Sequence, residues 1–324
     1  MHITVQQAVT ATPTALQGAR TRLGDPIFAL AVRTAGVLVL LMLGSLIVSL
    51  LIGGLSAFRH FGVSFLFSAA WDPVHEVFGA AVSVYGTLIT SALALLLAVP
   101  VAFGIAFYLT ELAPVWMRRP VGIAIELLAA IPSIIYGMWG FFVIVPLMSQ
   151  YVEPSLINTF DGIPVLQDMF DGPPFGTGIF TAALVLMVMV IPFIAATMRD
   201  VFETVPPVFK ESAYGVGCTT WEVMRSIVLP YTRASVIGGI MLGLGRALGE
   251  TMAVTFVIGN ANHISPNLFA SGNTIASLVA LEFPESPAGS LKLSSLLALG
   301  FILFVISFIV LAVSRTLLRP RLKA

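Results

Sequence analysis

Long apolar runs separated by short polar segments dominate the chain. Six of them, 34–56, 83–109, 121–148, 177–198, 235–258 and 293–314, reach the ~20 residues needed to cross a hydrocarbon core about 30 Å thick. The pattern predicts an all-α integral membrane protein of six transmembrane helices, with a core of about five helices after the first. An even number of crossings puts both termini on one side, and the basic residues say which. Thirteen of the sixteen Lys and Arg residues lie in the N-terminal segment, 110–120, 199–234 and the C-terminal segment; the intervening loops hold Arg59 and Lys292. The positive-inside rule makes the first set cytoplasmic. The expected organisation is a cytoplasmic tail over 1–33, a first transmembrane helix and external loop over 34–82, a transmembrane core over 83–316, and a cytoplasmic tail over 317–324. Residues 1–33 are polar and the first apolar run is long and late, so it reads as an uncleaved anchor rather than a signal peptide.

One run is interrupted by charge. Arg246 and Glu250 stand in Gly243-Leu-Gly-Arg-Ala-Leu-Gly-Glu-Thr-Met-Ala253. A charge at the bilayer centre costs about 2.5–3.5 kcal/mol on the insertion scale and marks a functional-site candidate. In an unbroken helix a spacing of four places both side chains on one face, about 40° apart. Arg246 then lies about 16 Å along from Ser235, near the midplane. Glycines at spacing four, Gly239/Gly243 and Gly245/Gly249, predict close packing of this helix in protein.

Composition narrows the class. Hydrophobic residues make up 58% of the chain, charged residues 10%, and mean hydropathy is +1.00, against about 25% charged in soluble domains. Zero net charge offers no bulk field for nucleic acid. A single cysteine, Cys218, precludes an intrachain disulfide and a cysteine metal site, and the four histidines are scattered. None of the lysines Lys210, Lys292 and Lys323 follows a glycine, so there is no GxxxxGK[ST] phosphate loop. No catalytic, metal or cofactor site is expected in this chain, and ATP would be bound by a separate polypeptide. The outer loops are acidic, and Phe160-Asp-Gly-Ile-Pro164 and Phe170-Asp-Gly-Pro-Pro174 read as turns in preference to a cation site. Glu126, five residues into the third run, reads as an interfacial acid. Ser133 and Tyr136 either line a pore or bond a neighbouring helix. Trp71, Trp116 and Trp139 read as interface or packing aromatics, and Met187, Met189 and Met198 as packing.

The longest inner loop centres on Lys210-Glu-Ser-Ala-Tyr-Gly-Val-Gly-Cys-Thr-Thr-Trp-Glu-Val-Met-Arg-Ser-Ile-Val-Leu-Pro230. It predicts two short helices with a glycine joint, the second capped by Thr219 or Thr220 with Glu222 in its first turn. Trp221, Met224, Ile227 and Val228 form one apolar stripe, free to dock on this chain or on a partner. The segment resembles the EAA loop of ABC-importer permeases: Glu211-Ser212-Ala213, then Gly217, Ile227, Leu229 and Pro230, stand in register with that pattern, Ser212 replacing an alanine. The run Gly245-Arg-Ala-Leu-Gly-Glu-Thr-Met-Ala253, with Glu126 to Gly137 and Tyr85-Gly-Thr-Leu88, is similar to phosphate ABC-importer permeases of the PstC type rather than the PstA type.

The resemblance spans roughly Trp71 to the C-terminus. It implies a MetI-like permease bundle in the bacterial inner membrane, paired with a second permease, PstA type. It also implies an ATPase, a dimer in such systems, docked on the coupling segment 211–230, and an external phosphate-binding protein. On that footing Arg246, Glu250 and Thr251 are the expected substrate path or gate. Arginine's planar fork suits phosphate; Glu250 is its resting partner and accepts the hydroxyl that phosphate keeps and sulfate lacks. A static interhelical clamp is the competing role. A permease for sulfate or molybdate and an ion-coupled secondary transporter are the competing functions.

Overall fold

In the computed structural model, which describes residues 24–318, six helices are long and apolar enough to cross a membrane: Asp25–Phe61, Ala81–Leu112, Ser133–Phe160, Ile179–Glu203, Thr220–Leu248 and Leu291–Ser314. Six spans were expected; several of their bounds differ. The first helix begins at Gly24, so residues 24–33 of the expected tail are helical. The remaining tail residues 1–23 and 319–324, with Arg20, Arg22, Arg319, Arg321 and Lys323, lie outside the described residues.

The chain divides into two compact units, residues 1–49 and 50–324. In the first, the described residues are one continuous helix with nearly every side chain exposed. An apolar helix with no protein face of its own is what lipid accepts. The second unit is built around Ile179–Glu203, whose most apolar stretch is 61% buried against 22–28% for the other spans of that unit. Ala182, Ala183, Val190 and Ile194 are fully buried there. The second span packs along it through Ala94, Ala98, Ala102 and Ala106, all fully buried; a spacing of four keeps these small side chains on one face, where backbones approach closely. Met189 and Met198 are buried in the same core, as packing residues.

Two spans depart from the sequence pattern. The third run, read as 121–148, is two helices: Val115–Ala129 and a span beginning at Ser133. Pro132, extended at φ −58°, ψ 136°, stops the first and caps the second. Glu126 is therefore not inside the third span. It sits on the preceding helix with its side chain half exposed, 2.7 Å from Arg199. The span itself runs on to Phe160, where the first Phe-Asp-Gly phrase turns the chain at Gly162, φ +83°. The second phrase ends the helix Pro164–Phe170 with Gly172 at φ +114°, and Phe160 and Phe170 stack at 5.1 Å. Both phrases are thus helix-ending turns.

The fifth run, read as 235–258, is also redrawn. Its helix starts at Thr220 and ends at Leu248; the chain breaks at Gly249–Thr251 and resumes as a single turn, Met252–Thr255.

At the acidic end, a two-residue hairpin pairs Trp71–Asp72 with Val77–Phe78. Trp71 Nε1 donates to Glu282 (2.9 Å) and Lys292 pairs with the same carboxylate (3.0 Å), so Trp71 is a packing aromatic and Lys292 is neutralised. A hydrogen bond from His75 holds the Asp72 carboxyl below its ordinary range.

Candidate translocation site and coupling segment

Arg246 lies in the last turn of the helix Thr220–Leu248, and its depth can be read from its neighbours. Gly239 faces Thr197, and Gly243 faces Ile194 and Val190 of the central span. Arg246 stands about 4.5 Å further along, level with the middle of Ile179–Glu203. A mid-span position is thus supported by packing, independently of helix length. Gly239 and Gly243 make the close approach expected of them. A methyl added at Gly245 would meet nothing within 4 Å, so the second glycine pair faces the open side of the subunit, where Arg246 is also exposed.

The shared helical face of Arg246 and Glu250 is overturned. The helix stops before Glu250, whose Oε1 instead accepts the Ala253 N–H at 3.2 Å, and Gly249 leaves helical geometry at φ −93°, ψ 3°. A carboxylate that satisfies a free amide at a helix start competes with continuing the helix. Arg246 forms no ion pair among the described residues. Thr251 lies in the break and its hydroxyl donates to Gly249 O at 3.3 Å.

The elements that follow the two breaks pack together. A methyl on Gly137 would lie 2.8–3.0 Å from Phe256, Ala253 and Met252, so the helix beginning at Ser133 rests with its backbone on the turn after Glu250. Tyr136, left open between pore and helix contact, donates across the first break to Leu128 O at 2.9 Å. The break after Leu248 places a helix end and a fixed charge at mid-depth, an arrangement suited to a ligand that must bind and leave.

The coupling segment folds as its caps dictate. The helix Pro207–Gly215 ends at a joint with Gly217 at φ +92°, a conformation glycine adopts without strain. Thr219 then forms a capping box with Glu222. The second helix is not short: a wide turn over Met224–Val228 carries it through Leu229 and Pro230 into the fifth span without interruption. Its stripe docks on this chain. Met224 and Val228 are fully buried in the core, Ile227 packs against it, and Trp221, 53% exposed, meets the edges of Phe103 and Phe107. Ala213 is buried, whereas Glu211, Ser212, Gly217 and Pro230 are exposed. Outside the stripe, Val208, Phe209 and Val216 are exposed apolar residues of this loop. Thr219→Ala should weaken the joint by about 1 kcal/mol, read as amide exchange over 220–224 about fivefold faster. Thr219→Ser should match wild type, and unchanged exchange in the alanine variant would count against the cap.

Two charge clusters left no trace in the sequence pattern. Lys210 Nζ lies 2.6 Å from Glu111. Arg199 bridges Glu126 and Asp200, both at 2.7 Å, beside a cavity of about 420 Å³ lined by Arg118, Arg119 and Glu203. Glu153, within the third span, is 1% exposed, and one carboxylate oxygen accepts the Gly176 N–H at 2.9 Å.

Residues 98–324 match the family described as binding-protein-dependent transport system inner membrane component. The chain is 56% identical over 299 residues to a phosphate transport system permease protein PstC of Mesorhizobium japonicum, covering 92% of this chain and 91% of that one. It is 58% identical over 292 residues to the Pasteurella multocida protein of the same description, covering 90% and 91%. Among solved structures, a bacterial ABC transporter involved in the import of alginate superposes with a TM-score of 0.56 at 16% identity, covering 91% of this chain and 99% of that one. The MetNI methionine ABC transporter, inward facing, gives 0.55 at 14%, covering 77% and 98%. At these identities the structural likeness shows the fold alone.

Proposed function

The chain belongs to the binding-protein-dependent transport system inner membrane components and, within them, to the PstC family of phosphate transport permeases, and from that premise we propose that it is a pore-forming subunit of an ATP-driven importer of inorganic phosphate. It is a transport subunit and not an enzyme. The observation that carries the reading is Arg246: a fixed positive charge at mid-span, exposed on the open side of the subunit and without an ion-pair partner among the described residues, beside the helix break at Gly249–Thr251. Arginine binds tetrahedral oxyanions through paired donors and stays charged at any working pH.

The remaining parts follow from the same reading. The basic end is cytoplasmic, in a bacterial inner membrane. A separate ATPase binding ATP and magnesium docks on the coupling segment, for which the exposed Val208, Phe209 and Val216 supply apolar surface. A second permease of the PstA type closes the open side, and an external phosphate-binding protein delivers substrate at the acidic end. Movement of the ATPase reaches Arg246 through a continuous helix, because Thr220 and Arg246 belong to one rod about 39 Å apart.

Glu250 sets the preference between oxyanions in this scheme. Near neutral pH phosphate has a hydroxyl to donate and sulfate has none, so a carboxylate facing the path favours the former. Glu250→Gln keeps an oxygen for the Ala253 N–H but removes the charge. In proteoliposomes containing the whole importer, the variant should admit sulfate about tenfold better relative to phosphate, a shift of about 1.4 kcal/mol. Unaltered preference with normal uptake would dismiss this role, and ATP-independent uptake by the wild-type assembly would dismiss the importer reading itself.

A further inference from the structure

We infer that the Lys210–Glu111 pair is a second mechanical link of the importer, tying the coupling segment to the second and fourth spans while the helix Thr220–Leu248 ties it to Arg246. The inference rests on the importer reading above. Lys210 stands immediately before Glu211-Ser-Ala on the helix Pro207–Gly215. Its Nζ donates to Glu111 Oε1 at 2.6 Å and to the backbone oxygen of Phe202 at 3.4 Å. Glu111 belongs to the wide turn Tyr108–Leu112 that closes the second span. Phe202 is fully buried in the last turn of the fourth. One ammonium therefore holds three elements.

The site is dry. The Glu111 side chain is 7% exposed and that of Lys210 18%, whereas the carboxylate of the neighbouring Arg199–Glu126 pair is 52% exposed. Solvent ions screen such a buried pair weakly. Withdrawing one partner strands a charge in the interior, and that is the costly event for a buried pair; removing both is far milder. The coupling helix thus moves by more than a hydrogen-bond length only if the second span follows or the seam opens to water. Phe103 meets Phe202 edge-on at 6.0 Å, and Trp221, from the other half of the coupling segment, meets Phe103 and Phe107 at 6.4 and 5.9 Å. Both halves of the segment therefore grip the same helix ends. Lys210 and Glu111 are positioning residues, remote from the substrate.

The test uses the whole importer in proteoliposomes and reads phosphate taken up per ATP hydrolysed, a ratio that a purely structural role leaves unchanged. The neutral pair Glu111→Gln with Lys210→Met should assemble and hydrolyse ATP but move about fivefold less phosphate per ATP. The exchange pair Glu111→Lys with Lys210→Glu, which restores an ion pair of opposite polarity, should recover most of that loss. A neutral pair with the wild-type ratio overturns the inference, since the residues then serve assembly alone. So does an exchange pair that assembles yet has a ratio as low as about a fifth of wild type; this arm decides by itself if the neutral pair does not assemble. A wild-type importer that moves no phosphate would instead remove the reading beneath it.

Discussion

Arg246→Ala should lower ATP-driven phosphate uptake about 100-fold while leaving the amount of assembled protein unchanged. The size follows from the loss of charge-assisted hydrogen bonds, worth about 1.5–3 kcal/mol each to a charged group. The unchanged abundance follows from the structure. Arg246 forms no ion pair among the described residues, so its removal strands no buried carboxylate, and a membrane-embedded charge is itself unfavourable. Arg246→Lys keeps the charge and loses the fork; it should fall between, near a tenfold loss. Uptake in vesicles and quantitative detection of the assembled complex separate the outcomes. Full transport by the lysine variant would make the fork irrelevant. A parallel fall in uptake and abundance for the alanine variant would instead favour the clamp.

The second large effect concerns the fold. A methyl on Gly86 would lie 2.0 Å from the backbone oxygen of Asn273, and that oxygen has nowhere to go. Asn273 is tied to Asn262 at 2.9 Å and accepts from Ser277 at 2.6 Å. Thr274 caps the helix Ile275–Glu282, and the Ile275 N–H donates to Thr87, one residue from Gly86, at 2.9 Å. Gly86→Ala should therefore destabilise by about 1–3 kcal/mol, seen as a lower melting temperature and a smaller monodisperse fraction in detergent. Gly104 lies on the same span with nothing within 4 Å, and Gly104→Ala should be neutral or stabilising by up to about 1 kcal/mol. Equal melting temperatures for the two variants would refute the close-approach argument.

What the sequence revealed was local or compositional. The six spans are long apolar runs, and the Thr219 cap is a four-residue signature in which hydroxyl and carboxylate sit three apart. The breaks were hidden because hydropathy does not register backbone geometry. Residues 235–258 read as one apolar stretch, yet Glu250 satisfies the Ala253 N–H where a helical carbonyl would otherwise do so. At Pro132 a signal was present, since a proline disfavours helix in the residue before it, but an apolar context on both sides argued for continuity. The Lys210–Glu111 pair had no local trace: its partners are 99 positions apart, and two charges beside different spans look alike whether they meet or not. Arg246 was legible because a charge inside an apolar run is anomalous wherever the helix ends.

The helix Thr220–Leu248 also acts as a ruler. Each residue adds 1.5 Å and 100°, so the spacing from the Thr219 cap to Arg246 fixes both the height and the heading of the guanidinium. A change of one residue between them would turn it by about 100°, away from the open side. The outer loop after Gly259 carries no such register: its own ties, Asn273 to Asn262 and Leu268 N–H to Met169 O, both at 2.9 Å, set its course without directing the charge.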